Sequence, residues 1–167
     1  MNRGLLRTFT AIAAAGAVMA GLGSATILAA DTANLPVQAD VTNNCTIGTT
    51  QLNFGAYDPI VANKTVELTG TGQILIACTK GATAKVSLGN GGGGSANARR
   101  LASTTGDNLP YQLYRPDNQV WSTDGGALSY TSISMVEKTF PVLGKIAPGL
   151  DVAAGNYTDT IVATFNF

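Results

Sequence analysis

The sequence contains no histidine, and Glu67 and Glu137 are the only glutamates among its ten acidic residues. Without histidine, Ser-His-Asp and Cys-His catalysis and histidine-ligated metal sites are excluded. The aspartates stand mostly beside turn residues, and no spacing among them suggests the paired carboxylates of a glycosidase. The sequence therefore predicts a protein that is not an enzyme and that has no metal, cofactor or small-molecule substrate.

Charge is also scarce, since only 12% of the 167 residues are charged. The longest basic run is the pair Arg99-Arg100, so the electrostatic surface expected of a nucleic-acid-binding protein is missing. Threonine, glycine, asparagine and valine are frequent, and no helical period is sustained. This composition is typical of an all-β protein.

The one long apolar run lies at the start of the chain. Arg3 and Arg7 are followed by residues 8–22, which are uncharged and rich in alanine, and then by small residues. This order is typical of a secretory signal peptide, whereas a transmembrane anchor needs about 20 strongly apolar residues. We predict that residues 1–30 are a leader that is removed by cleavage after Ala25 or Ala30. The remaining chain of roughly 137 residues suffices for one domain with a core, but not for two.

Two cysteines, Cys45 and Cys78, remain in the exported chain. An even pair in an exported protein indicates a disulfide, and two thiols are too few for a metal framework. A redox-active pair is the alternative, although the chain has no Cys-x-x-Cys spacing. The closed loop of about 34 residues would stabilise the fold by about 3–4 kcal/mol in the chain-entropy model.

Residues 33–42 alternate strictly between apolar and other side chains. The apolar members are Ala33, Leu35, Val37, Ala39 and Val41. A period of two predicts an extended strand with one apolar, buried face. Two interpretations are open. The segment is either the first edge strand of its own sandwich or a strand that completes the sheet of another molecule.

Further short strands are predicted from alternation and from flanking turn residues, at residues 51–55, 65–78, 82–88, 100–103, 108–115 and 129–143. The glycines within residues 65–78 predict a bend or bulge at which this strand could pass between sheets. Residues 89–97 are rich in glycine but lack the Gly-Lys-Ser/Thr of a phosphate-binding loop, so they predict a flexible surface loop. Trp121, the only tryptophan, is predicted to anchor the core or a hairpin.

The last predicted strand covers residues 155–167 and reaches the final residue. Its apolar side chains share one parity and are Tyr157, Ile161, Ala163, Phe165 and Phe167. We expect this strand to border a place where the sheet lacks a neighbour.

Taken together, these segments resemble the spore coat protein U domain family, the pilin fold of archaic chaperone–usher pili of the Csu type. The resemblance rests on the alternating segment before Cys45-Thr-Ile-Gly48 and on residues 52–55, 76–79, 109–115 with Trp121, and 144–146. The closing segment GNYTDTIVATFNF, residues 155–167, is its most specific part.

The resemblance implies an incomplete immunoglobulin-like β-sandwich that is completed by donor-strand complementation. A periplasmic chaperone would first fill the vacancy, an outer-membrane usher would follow, and the N-terminal strand of the next subunit would then replace the chaperone. The chain would thus be exported through the periplasm to a cell-surface fibre of identical or related subunits. The fibre would support adhesion and biofilm formation.

Carried over by position, residues 31–44 would be the donor segment and residues 45–167 the pilin domain. The donor anchors would be Leu35, Val37, Ala39 and Val41. The acceptor groove would be bordered by Tyr157, Ile161, Ala163, Phe165 and Phe167, and Cys45 and Cys78 would match the family's disulfide. Pro36 departs from an ideal donor because it has no N–H for a ladder bond.

Two alternatives stay open. A self-contained secreted coat or carbohydrate-binding module would pair the N-terminal strand within its own sheet and could present Tyr111, Tyr114 and Trp121 as a ligand face. A small outer-membrane β-barrel would also end in a phenylalanine strand, but its strands would be more equal and its aromatic residues more numerous.

Overall fold

A computed structural model describes residues 30–123 and 125–167, so the predicted leader up to residue 29 lies outside the described residues. The described chain contains ten strands and two short 3-10 helices. The strands are β1 (Cys45–Asn53), β2 (Leu68–Cys78), β3 (Thr83–Leu88), β4 (Arg100–Ser103), β5 (Asn108–Pro110), β6 (Gln112–Tyr114), β7 (Leu128–Thr131), β8 (Lys138–Ile146), β9 (Tyr157–Thr158) and β10 (Ala163–Asn166). The 3-10 helices are η1 (Gly91–Gly93) and η2 (Ala96–Ala98). The prediction of an all-β fold is confirmed.

The largest sheet has four antiparallel strands in the order β1-β2-β8-β6. β2 pairs with β8 from Leu68 to Ile76, through both of its glycines, so these glycines do not lead the strand into another sheet. They make room instead, since a Cβ on Gly70 would lie 3.0 Å from side-chain atoms of both Leu52 and Phe54. The register irregularity lies opposite, in β1 between Thr50 and Asn53.

Cys45 and Cys78 stand opposite each other in the β1–β2 ladder and form a disulfide. The predicted disulfide is therefore confirmed. It ties the start of the edge strand β1 to the end of the central strand β2.

Two smaller antiparallel sheets complete the fold, with strand orders β10-β3-β7 and β5-β4-β9. The C-terminal segment, predicted as one strand, divides between them. Its first part, β9, pairs with β4, and its second part, β10, pairs with β3. Side chains still alternate between half-buried and exposed from residue 157 to residue 166, as the parity predicts.

The core collects the buried faces of β2, β3, β6 and β8. Its largest fully buried apolar side chains are Ile74, Ile76, Val86, Trp121 and Ile146. The Trp121 indole Nε1–H donates to the Val86 carbonyl at 2.9 Å, which satisfies its one polar group in the interior. The predicted role of Trp121 as a core anchor is confirmed.

The described residues divide at Ala39, with residues 30–39 in one unit and residues 40–167 in the other. No residue from 30 to 44 belongs to a strand, although residues 33–42 have a strand pattern. The side chains of Leu35, Val37 and Val41 are 84%, 87% and 83% exposed. Their apolar face is therefore left uncovered.

Candidate functional site

An open cleft of about 1100 Å³ lies between strands that stand at the edges of their sheets. One wall is the second half of β1, residues 49–53. The opposite wall is the C-terminal segment, residues 152–163, which includes β9 and the start of β10. Among the described residues, β1 pairs only with β2 and β10 only with β3, so each strand keeps one free edge.

The floor of the cleft is the apolar core itself. It includes the buried side chains of Ile74, Leu109, Leu113 and Ile146 and the half-buried side chain of Leu101. Around this floor the packing is incomplete, because many apolar side chains against the core are only half-buried; Leu52, Phe54, Tyr57, Leu68, Val152, Tyr157 and Ile161 are examples. A groove with unsatisfied strand edges and an apolar floor is suited to an added strand, which offers main-chain bonds on its edges and apolar side chains below.

The predicted groove residues are only partly brought together. Tyr157, Ile161 and Ala163 line the cleft. Phe165 and Phe167 lie beyond its lining and contact each other, with ring centroids 5.4 Å apart. Phe165 is half-buried, whereas Phe167 is 64% exposed.

A polar corner interrupts the apolar lining at Asp159. Its Oδ2 accepts a hydrogen bond from the Tyr111 hydroxyl at 2.7 Å, and its Oδ1 accepts from the backbone N–H of Gly92 at 2.9 Å and of Thr160 at 2.7 Å. Burial raises the pKa of Tyr111, and the hydrogen bond to Asp159 raises this pKa further. Asp159 lies between β9 and β10, where the C-terminal segment leaves one sheet and joins the next.

The sequence analysis missed Asp159, although a signal was present. Asp159 has the same parity as Tyr157 and Ile161, so it is the one charged residue on the inward face of an otherwise apolar alternation. A charge at such a position requires a partner in the interior. The partner, Tyr111, is 48 residues away in sequence, and only the fold identifies it.

A second missed residue is Arg99, whose side chain is fully buried. Its Nη2 donates to the carbonyls of Leu88 at 3.0 Å and Trp121 at 2.7 Å, and its Nη1 donates to Gln112 Oε1 at 2.8 Å. Both Nε and Nη2 donate to the Gly89 carbonyl, at 3.0 and 2.8 Å. Burial lowers the pKa of Arg99, while Tyr111 and Asp159 oppose this effect. The guanidinium therefore links the end of β3 to β6 and to Trp121.

The glycine-rich loop, predicted to be flexible, is held against these two charged residues. The Gly92 N–H is bound to Asp159, and the Gly89 N–H donates to the Val162 carbonyl at 2.8 Å. A Cβ on Gly93 would overlap the Ala98 carbonyl oxygen, so glycine is required there by close approach. The loop therefore supports the C-terminal wall of the cleft from behind.

Within residues 30–123 and 125–167, no three His, Cys, Asp or Glu side chains come together in a way that could hold a metal ion. No helix in this part of the chain is long and apolar enough to cross a membrane. The aromatic ligand face considered from sequence does not form, because Trp121 is fully buried and Tyr111 is 8% exposed.

Comparison with known proteins identifies the same architecture. Residues 31–164 match the Spore Coat Protein U domain. The curated "Protein U" of Myxococcus xanthus is 38% identical over 154 residues, which cover 81% of this chain and 84% of that protein. Among solved structures, this chain is similar to a protein chain in the crystal structure of the CsuC–CsuE complex of Acinetobacter baumannii. That structure is a pre-assembly complex of a chaperone and a tip adhesion subunit from archaic chaperone–usher Csu pili. The TM-score is 0.57 at 25% identity, and the match covers 76% of this chain but only 40% of the solved chain.

Proposed function

The chain belongs to the Spore Coat Protein U domain family, and from this premise we propose that it is a pilus subunit that polymerises by donor-strand exchange. Its fold resembles that of a Csu pilus protein. The proposal is supported by two features of the chain, an apolar cleft between free strand edges and an alternating segment whose large apolar side chains are exposed. One molecule thus has both a segment with the residue pattern of a strand and a cleft with free strand edges.

In the proposed joint, Leu35, Val37, Ala39 and Val41 of one copy enter the cleft of the next. The donor backbone then bonds to the free edge of β1 on one side and to that of the C-terminal segment on the other. Burial of Leu35, Val37 and Val41 contributes about 1.5–3 kcal/mol each, and Ala39 contributes less. Each ladder bond adds about 0.5–1.5 kcal/mol. Pro36 has no N–H to donate, so one ladder bond is lost there and Leu35 is the anchor least constrained by the ladder.

The same cleft is a hazard before assembly. Free strand edges above an apolar floor invite unwanted pairing between copies. A periplasmic chaperone that fills the cleft removes this hazard, and the similarity to a chain of a chaperone–subunit complex supports such a partner. The disulfide fits an oxidising compartment on an export route. An outer-membrane usher and a cell-surface fibre that supports adhesion and biofilm formation complete the proposal.

The experiment compares the exported protein with a variant that lacks residues 35–41, on denaturing gels with and without boiling. The unmodified protein should give a ladder of multimers that collapses to one band on boiling. The deletion variant should give no ladder. Because deletion also leaves the cleft empty, a third variant carries residues 33–43 after Phe167 through a flexible linker in addition to the deletion. This variant should be a folded monomer, and its tryptophan fluorescence should show that Trp121 is buried.

A single monomer band from soluble, folded, unmodified protein would contradict the proposal. The self-contained secreted module would then be the better account. A ladder that persists after deletion of residues 35–41 would show that another segment joins the copies, and it would contradict the assigned donor.

A further inference from the structure

The donor segment contains one small side chain among its four anchors. Leu35, Val37 and Val41 each have a large aliphatic side chain, whereas Ala39 has a single methyl group. Burial of a methyl group contributes much less to binding than burial of a valine or leucine side chain. The pattern therefore indicates that the part of the cleft reached by Ala39 differs from the parts reached by the other three anchors.

The C-terminal wall of the cleft has one irregularity of its own. Its inward side chains line the cleft and are Tyr157, Asp159, Ile161 and Ala163. Three of them are apolar, and Asp159 alone carries a charge. Tyr111, which donates a hydrogen bond to Asp159, also lines the cleft. Along this wall, Asp159 is therefore the place where an apolar donor side chain would meet a carboxylate.

The carboxylate of Asp159 is sensitive to what lies over it. It accepts hydrogen bonds from the Tyr111 hydroxyl and from the backbone N–H groups of Gly92 and Thr160, while a carboxylate can accept about four. Asp159 is half-buried and faces the open cleft. A valine or leucine side chain placed over it would exclude water from a charged group, which is costly. A methyl group covers less of the carboxylate and leaves it hydrated.

The backbone of the wall is oriented to pair with a strand in the cleft. The Gly89 N–H donates to the Val162 carbonyl at 2.8 Å, which continues the β10–β3 ladder beyond the pair Ala163 and Leu88. Successive residues of an antiparallel strand direct their N–H and C=O groups to alternate edges. Since Val162 directs its carbonyl toward β3, Ile161 and Ala163 direct theirs to the free edge. The residues whose side chains face the cleft thus also offer backbone groups to an added strand.

One antiparallel register satisfies both irregularities. When Ala39 lies opposite Asp159, the other anchors lie opposite apolar residues of the cleft lining, in the pairs Val41–Tyr157, Val37–Ile161 and Leu35–Ala163. The largest anchor then meets the smallest wall residue. A shift of two residues in either direction would place Val37 or Val41 over the carboxylate instead.

We infer that Ala39 of one copy lies opposite Asp159 of the copy that receives its donor strand, and that this pairing fixes the register of the joint. The inference rests on the proposed function and adds to it a residue that determines specificity. The cleft accepts a donor with a small side chain at this position and rejects one with a large apolar side chain there. Asp159 thereby selects among donors as well as among registers.

The first test uses engineered cysteine pairs, because both native cysteines are already in a disulfide. The variants Val41→Cys/Tyr157→Cys and Val37→Cys/Ile161→Cys retain Ala39 and Asp159. Each is assembled, oxidised and boiled without reductant. Opposite residues of an antiparallel pair bring their Cα atoms to about 5.5 Å, which is within the range of a disulfide. Both ladders should survive boiling and collapse only when reductant is added.

The matched control is Val37→Cys/Tyr157→Cys, which combines one substitution from each of the two pairs. In the inferred register these residues are four positions apart along the strands, or about 13 Å. Its ladder should collapse on boiling alone. A cross-link in this control but in neither of the other two variants would show a parallel donor or a different register, and it would overturn the inference.

A second measurement tests the role of the carboxylate without added thiols. Ala39→Leu enlarges an apolar anchor, which by burial alone would strengthen the joint. We expect the opposite result, a ladder that dissociates at a lower temperature than that of the unmodified protein, whereas Ala39→Ser should leave this temperature unchanged. In an Asp159→Asn background, which has no charge to desolvate, Ala39→Leu should lower the dissociation temperature by less.

The outcomes separate this inference from the proposed function on which it rests. A normal ladder from Ala39→Leu, with an equal or higher dissociation temperature, would overturn the role of Asp159 while strand exchange stands. Equal effects of Ala39→Leu in the Asp159 and Asp159→Asn backgrounds would do the same. Absence of any ladder from the unmodified protein would overturn the proposed function and this inference with it.

Discussion

Replacement of Asp159 by alanine tests whether the polar corner supports the C-terminal wall of the cleft. Asp159→Ala removes the carboxylate that accepts hydrogen bonds from the Tyr111 hydroxyl and from the backbone N–H groups of Gly92 and Thr160. Tyr111 itself is buried, with 8% of its surface exposed. A hydrogen bond to a charged group contributes about 1.5–3 kcal/mol, and a hydroxyl left unpaired in the interior costs about 1–3 kcal/mol. The two N–H groups are accessible to water and contribute less. We expect a loss of about 2–4 kcal/mol in the free energy of unfolding.

The assay is guanidinium unfolding followed by tryptophan fluorescence, since the only tryptophan, Trp121, is fully buried. The matched variant Tyr111→Phe removes only the hydroxyl and should cost about 1–2 kcal/mol. The double variant should be more stable than the sum of the single effects predicts, with a coupling energy of about 1–2 kcal/mol. Additive effects, or an Asp159→Ala variant as stable as the unmodified protein, would refute the argument that this bond holds the wall.

Three further predictions concern the same framework. Gly93→Ala should destabilise the protein by more than about 2 kcal/mol, since its Cβ would overlap the backbone of η2, whereas Gly92→Ala, with only an ordinary contact at 3.6 Å, should be nearly neutral; thermal unfolding compares them. Cys45→Ala/Cys78→Ala should lower the free energy of unfolding by about 3–4 kcal/mol in denaturant titrations, and an unchanged midpoint would contradict this value. Since folding raises the pKa of Tyr111, its stabilising contribution is complete below the ordinary tyrosine pKa near 10 and is lost as pH rises above it. When the pH is raised from about 9 to about 11, the free energy of unfolding should therefore fall less for Tyr111→Phe than for the unmodified protein.

Local patterns in the sequence predict part of this fold well. The cysteine pair, the buried tryptophan and the alternation of residues 157–166 each follow from residue type and period, and each has the expected place in the structure. These features depend on the residues themselves and on their immediate neighbours along the chain. The same is true of the all-β class, which follows from composition.

Features that depend on distant partners could not be predicted. The C-terminal segment divides into β9 and β10 at the place where Asp159 accepts a hydrogen bond from Tyr111, 48 residues away. Arg99 looks like a surface residue in the sequence, and its burial is possible only because carbonyls from two separate places in the chain, residues 88–89 and Trp121, converge on it. The glycines of residues 91–94 indicate flexibility when considered alone, but at Gly91 and Gly93 the fold uses the absence of a side chain for close packing.

The identity of the donor face is the central claim, and a pair of adjacent substitutions tests it most directly. Val37→Arg places a charge on the apolar parity that would enter the cleft, whereas Gln38→Arg places the same charge on the opposite parity. Burial of an unpaired charge is far more costly than its exposure. The measurement is the fraction of exported protein that runs as a boiling-sensitive ladder. The account predicts that Val37→Arg abolishes the ladder and that Gln38→Arg retains it. Equal assembly of the two variants would contradict it.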